Sequence, residues 1–201
     1  MTRTYTQRQR ATRRDEVRRR IIDAAVVLKQ TKDPNDISMA DVAEQAGVGR
    51  VTVYRHFRDL GALKQASSQR FFALHPPPDP SRWAAIADPH ARLRAGLTEA
   101  YAYHRKTERM MARIQADAEV RDPYRRLWRA AGGVLAAPFV LTGDSAPRLR
   151  AAIDLALSFE TWRLLVREQG LSDDQVLDLT LSLCAGAADA DSSPRYRLTA
   201  T

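Results

Sequence analysis

Cysteine is almost missing from this 201-residue chain, where Cys184 stands alone. A single thiol excludes an intramolecular disulfide framework, a CxxC redox pair and a zinc knuckle, and it fits a reducing, cytoplasmic compartment. Long apolar runs are missing too. The longest, residues 130–141, has 12 residues interrupted by Gly132, Gly133 and Pro138, short of the ~18 that a membrane span needs. No stretch alternates β-branched and polar residues with period two, so strands are not expected. The four histidines, His56, His75, His90 and His104, have no HExxH or HxxxH spacing, and the chain contains no P-loop, GxGxxG or GxSxG. Catalytic residues, metal ligands and cofactors are therefore expected to be none. The first twenty residues lack an apolar centre and are not expected to act as a secretory signal.

What is present is positive charge, unevenly placed. The formal net charge is +8 and the pI about 10.1. Residues 1–20 hold eight arginines against Asp15 and Glu16, whereas residues 61–201 hold 19 basic and 16 acidic side chains. The partner of that basic end is expected to be a polyanion. Of 32 basic residues only four are lysine; arginine suits bidentate phosphate and guanine recognition, although genomic base composition produces the same bias. With 44% hydrophobic and 28% charged residues, the chain has ordinary globular composition and room for one compact domain or two small ones.

Helical periodicity recurs almost throughout, and the expected fold class is all-α: an N-terminal three-helix helix-turn-helix domain and a C-terminal helical domain. Val17, Ile21, Ala24 and Leu28 form one stripe on a first helix over about 15–30. Ser38-Met39-Ala40-Asp41 is a capping box for a short second helix that Gly47 stops. A third helix is expected from Arg50 to Phe57, and a fourth from Asp59 to about Leu74. Prolines at 76, 77, 78 and 80 cannot continue it. Beyond them, Asp88-Pro89, Asp122-Pro123 and Ser145-Ala146-Pro147 predict helices near 89–104, 123–140 and 147–169, with a separate short helix from Thr107 to 118. Ser172 to Gln175 is a second capping box, for a last helix to about 187. The expected segments are a flexible basic arm (1–14), a helix-turn-helix unit with a fourth helix (15–74), a proline-rich linker (75–88), a second helical domain (89–188) and a flexible tail (189–201).

The apolar positions around Gly47 carry the functional reading. Val42, Ala43 and Ala46 precede the turn, Val48 lies in it, and Val53 and Phe57 follow it, the spacing that a helix-turn-helix requires. With Val53 and Phe57 inward, ~100° per residue places Val51 and Arg55 on the far side of the third helix, flanked by Thr52 and Tyr54. In such a motif the start of the second helix reaches base edges while hydroxyls, phenols and imidazoles around it bond phosphates. Arg50, Val51, Thr52, Tyr54, Arg55 and His56 are the candidates. Tyr54 packing against the first helix, and His56 as an ordinary surface histidine, are the competing readings of those two positions.

The run from Ile37 to Phe57, with Ser38, Gly47, Tyr54 and Phe57 at their places, resembles the DNA-binding segment of TetR-family transcriptional repressors. The resemblance covers about residues 13–74. It implies a fourth, connecting helix and a C-terminal helical domain that binds a small-molecule inducer and forms a homodimer through its last two long helices. It implies further that Ser38 bonds a phosphate, that Thr52, Tyr54 and His56 position the DNA backbone, and that Arg50 and Val51 face bases of a double-stranded DNA operator. Two departures stand out. Gly49 occupies the place of a common serine, and Leu60-Gly61 that of a Lys-Glu pair, leaving Arg58 to supply the missing phosphate contact.

Two C-terminal stretches present more apolar surface than one small domain hides: Leu149, Ile153, Ala156, Leu157, Leu164 and Leu165, and then Val176, Leu177, Leu179, Leu181, Leu183 and Cys184. Pairing with symmetry mates would bury it, and a two-fold dimer predicts a palindromic operator. Aromatic and sulfur side chains concentrate in the middle helices, and Tyr101, His104, Met111, Ile114, Trp128, Phe159, Trp162 and Arg163 are the candidate ligand contacts, with Glu160 a further polar anchor. The chain is thus expected to be a cytoplasmic, nucleoid-associated DNA-binding repressor with no membrane partner. The alternative is a basic helical protein that binds RNA or an anionic membrane surface without sequence choice.

Overall fold

The structure, a computed structural model, describes residues 2–33, 35–114, 118–140 and 143–189, with backbone alone at 2–6, 114 and 118–120. Among the described residues every regular element is helical. The chain forms two compact units. One comprises the residues up to Pro76 together with Thr107–Arg121; the other comprises Pro77–Lys106 and the chain from Asp122 onward.

In the first unit, α1 (Thr2–Thr31) starts well before the Asp15 suggested by its apolar stripe. Among its described side chains, those buried lie in the later turns, with Ile21, Ala25 and Leu28 facing the core. The capping box forms as spelled: the Ser38 side chain accepts from the Asp41 N–H and the Asp41 carboxylate accepts from the Ser38 N–H, starting α2 (Met39–Ala46). α3 (Arg50–His56) follows a three-residue turn, Gly47 to Gly49, and Asp59 caps α4 (Leu60–Leu74) by accepting from the Ala62 N–H. Ile21, Ile37, Val42, Ala46, Val53 and Phe57 are the centre of one apolar cluster. Lys29 is buried and donates from Nζ to the Lys64 carbonyl and the Ser68 hydroxyl, both at 2.8 Å, tying α1 to α4. Asp23 and Arg70 add a second tie at 2.9 Å.

Beyond Pro76 the chain departs from expectation in several places, each with a local cause. Pro80 at a first helical position, with Asp79 as cap, opens a short α5 (Pro80–Ala84) inside the proline-rich stretch. α6 (Pro89–Ile114) is continuous, and Thr107, expected as a cap, is buried in mid-helix. No glycine or proline interrupts residues 97–114, so nothing there ends a helix. α7 (Ala118–Ala136) begins before the Asp122-Pro123 pair and carries Pro123 inside. One proline near a helix start forfeits a single backbone bond there, while Pro138 ends the helix short of 140 by pushing Ala137 out of helical geometry.

The expected long helix over 147–169 is broken. α8 (Ser145–Ala156) ends at Leu157, extended Ser158 caps α9 (Phe159–Arg163) by accepting from the Thr161 N–H, and α9 runs into a π-helical turn, Leu164–Glu168. A serine hydroxyl competes for the backbone and favours such a restart. The Ser172 capping box does start α10 (Asp173–Ala188). The tail from 190 lies outside the described residues.

Candidate nucleic-acid interface

α2 and α3 meet at a bend that needs Gly47, whose φ of 62° lies in the left-handed region. Its N–H bonds the Ala43 and Glu44 carbonyls, and the Val48 N–H returns to the Ala43 carbonyl at 3.0 Å. The chain thereby leaves α2 and re-enters a helix within three residues. Val53, fully buried, and Phe57 lock α3 onto α2. The opposite face is then outward by geometry: Val51 is 72% exposed and Tyr54 54%. Arg50 and Arg55 are exposed beside them, with Thr52 and His56 half-buried at the flanks. The exposure of Tyr54 overturns the reading in which it packs against the first helix.

Electrostatics on this face are positive. Partial burial, then the charges of Arg14, Arg18 and Arg55, hold the His56 imidazole below its ordinary value, against the smaller opposing effect of Asp15. Arg18 stacks on the Phe57 ring at 5.0 Å. Arg58 bonds the Asp59 cap at 3.0 Å, yet its side chain is 93% exposed. Ser38 is exposed, but its hydroxyl is engaged with Asp41 in the cap. The Asp41 carboxyl is held well below the usual carboxylate range by hydrogen bonds from Lys32 and Ser38. Gly49 is exposed and caps α3 without a side-chain bond, the one contribution a serine there would have made.

The second unit gathers most of the expected ligand contacts, although not around one cavity. His104 is fully buried in an aromatic box, 5.0 Å from Trp128, 5.6 Å from Phe159 and 5.8 Å from Trp162 between ring centroids. A carbonyl can only accept, so Nε2 carries the proton and donates to the Leu157 oxygen at 3.0 Å, and Nδ1 accepts from the Tyr124 hydroxyl at 3.2 Å. Burial lowers the imidazole to about 4, against the opposing hydrogen bond to Leu157. Tyr101 bonds Thr180 at 2.9 Å, and Trp162 donates to Asp173, which Arg105 clamps through two 2.7 Å bonds.

A cleft of about 310 Å³ lies at one side of this box, lined by Tyr124, Arg125, Trp128, Leu157, Phe159 and Glu160 among others. Trp128 and Phe159 thus line it, while Tyr101, His104 and Trp162 stand outside its lining as core. Arg163 is exposed elsewhere; Met111 is buried in the first unit; the Ile114 side chain lies outside the described residues. Tyr124 and Arg125 escaped the sequence reading because Pro123 suggested a helix start there rather than a helix interior. The restart at Ser158 that opens the cleft has only a single serine as its signal.

Among the described residues no helix is long and apolar enough to cross a membrane. Residues 21–64 match the model of bacterial regulatory proteins of the tetR family. Uncharacterised HTH-type transcriptional regulators from two strains of Mycobacterium tuberculosis are each 43% identical over 51 residues, covering 25% of this chain and 25% of theirs. The alignment therefore spans about a quarter of the relatives' length. In fold, the chain is similar to the Clostridium perfringens "putative fatty acid metabolism regulator", with a TM-score of 0.60 and 14% identity, covering 83% of this chain and 97% of that one. The exposed ridge on the helix-turn-helix thus lies within a stretch, residues 21–64, that is similar to bacterial regulatory proteins of the tetR family, and the all-helical fold is similar to that of the Clostridium perfringens protein.

Proposed function

We propose that the protein is a repressor that binds a palindromic operator as a homodimer and leaves it when a small molecule binds the second unit. The observation that carries this reading is the outward ridge of α3, with Val51 and Tyr54 exposed while Val53 between them is fully buried. An apolar and an aromatic side chain held in water on a short helix bring no stability to the fold; a major groove accepts both. Arg50, Val51 and Arg55 then read base edges, Gly49 permits close backbone approach, and Ser38, Thr52, Tyr54, His56 and Arg58 position phosphates. In this reading the DNA-binding domain is 15–74 and the ligand and dimerisation domain 89–188.

The homodimer is supported by Leu179 and Leu183, both 48% exposed, and Leu155, 54% exposed, on the paired helices α10 and α8. A two-fold pair would set two copies of α3 ~34–36 Å apart, one DNA turn. The cleft beside Trp128 and Phe159 is the place for the inducer, its apolar walls taking the body and Arg125 or Glu160 a polar group. A ligand that fits one separation of the two α3 helices shifts the equilibrium away from DNA. The test is binding to the duplex upstream of the protein's own gene against a scrambled duplex at ~150 mM salt, where nonspecific affinity has fallen steeply. Selective binding supports the reading; equal affinity for every duplex tried, including a selected random pool, overturns it.

A further inference from the structure

The described side chains in the N-terminal turns of α1 take no part in the core. Every side chain from Gln7 to Glu16 is exposed, so more than two helical turns bury nothing. Within them Arg10, Arg14 and Arg18 fall at i, i+4 and i+8, a single ridge with ~6 Å between successive positions along the axis. Of the two carboxylates of the segment, Glu16 is one turn from Arg20, and Asp15 is one turn from both Arg18 and Arg19, so it flanks the ridge at Arg18; the neighbours of Arg14 one turn away are Arg10, Ala11, Val17 and Arg18, none of them acidic. The ridge begins against the recognition helix. Arg18 stacks on Phe57, the residue that ends α3, and the charges of Arg14 and Arg18 reach His56, opposed by the weaker effect of Asp15.

We propose that these turns are a helical arm, continuous with α1, whose Arg10–Arg14–Arg18 ridge binds the phosphate backbone of the duplex that α3 contacts. The proposal rests on the operator reading above. Phosphates are favoured over base edges for a steric reason. A helix is ~10–12 Å across with its side chains, and the minor groove is only ~6 Å wide. A helical arm therefore lies along the backbone, where an extended arm could have entered the groove. Phosphate contacts of this kind carry affinity and salt dependence without sequence choice.

The test compares the full-length parent with R10Q/R14Q, leaving Arg18 on Phe57, by the slope of log affinity against log salt on selected and scrambled duplexes. Each lost phosphate contact lowers the slope by ~0.9, so the expected fall is about 1.8 per protomer, with selectivity between duplexes retained. A fall smaller than about one contact overturns the proposal. A11P, which breaks the arm but keeps every arginine, is expected to lose the Arg10 contact; an undiminished slope overturns the helical arm. Loss of R10Q/R14Q binding to phosphatidylserine vesicles with an unchanged duplex slope would assign the ridge to membranes and also overturn it. A parent without selectivity would sink the operator reading alone, since the slope comparison still measures the ridge.

Discussion

Val51 and Val53 are the same residue two positions apart, and they have opposite fates: 72% exposed and fully buried. The difference is helical phase, and it separates function from stability. Y54A/R55A is expected to weaken binding to the preferred duplex by 10- to 100-fold, ~1–3 kcal/mol, with unchanged helicity by circular dichroism. V53A is expected to lower stability by about 1–3 kcal/mol in denaturant titration. Reversal of the two results would invert the orientation of α3. Gly47 makes the complementary case. No atom lies within 4 Å of a Cβ built there, so G47A meets no clash, only the strain of a left-handed φ of 62°. A loss of about 1–2 kcal/mol is expected, read as a lowered denaturation midpoint. Both valines and the glycine were legible in the sequence, because periodicity and turn chemistry are local.

At the scale of elements, legibility followed the strength of local signals. Both capping boxes, at Ser38 and Ser172, start the helices they spell. Asp122-Pro123 has the composition of a start yet sits inside α7, because a helix with partners for its other backbone groups tolerates one missing N–H. The break at Leu157–Ser158 is the converse. His104, 53 residues earlier, supplies the bond that the freed Leu157 carbonyl needs, and no window of local sequence contains both. α10 carries the next prediction, since Leu179 and Leu183, one turn apart, remain half-exposed. L179D/L183D is expected to be folded but monomeric in sedimentation, with the operator complex weakened at least tenfold. A parent that sediments as a monomer at working concentration, or a variant that stays dimeric, would remove α10 from the interface.

For the whole molecule, His104 makes stability depend on pH. Its imidazole titrates near 6.5 when unfolded and near 4 when folded, so the unfolded state binds the extra proton between those values. Stability is therefore full above about 6.5 and falls by ~1.4 kcal/mol per pH unit as the pH drops toward 4. Below that, the Asp173 carboxyl, held low first by its bonds from Arg105, adds loss in the same direction. The three tryptophans, Trp83, Trp128 and Trp162, all lie in the second unit, so their fluorescence in denaturant follows that unit. A rising midpoint from pH 4.5 to 6.5 is expected, flattened in H104Q; a pH-independent midpoint in the parent would show that the imidazole charges in the fold.

Sequence alone determined the all-helical class, the helix-turn-helix with its outward ridge and the imbalance of charge toward the N-terminus. These follow from periodicity, caps and composition, whose physics acts within a few residues. Tertiary structure decided that α6 runs unbroken through Thr107, that the chain restarts at Ser158, and that Tyr124 and Arg125 rather than Arg163 line the cleft. Those outcomes depend on which distant groups satisfy a buried carbonyl or fill a space, and such partners are chosen only when the chain packs.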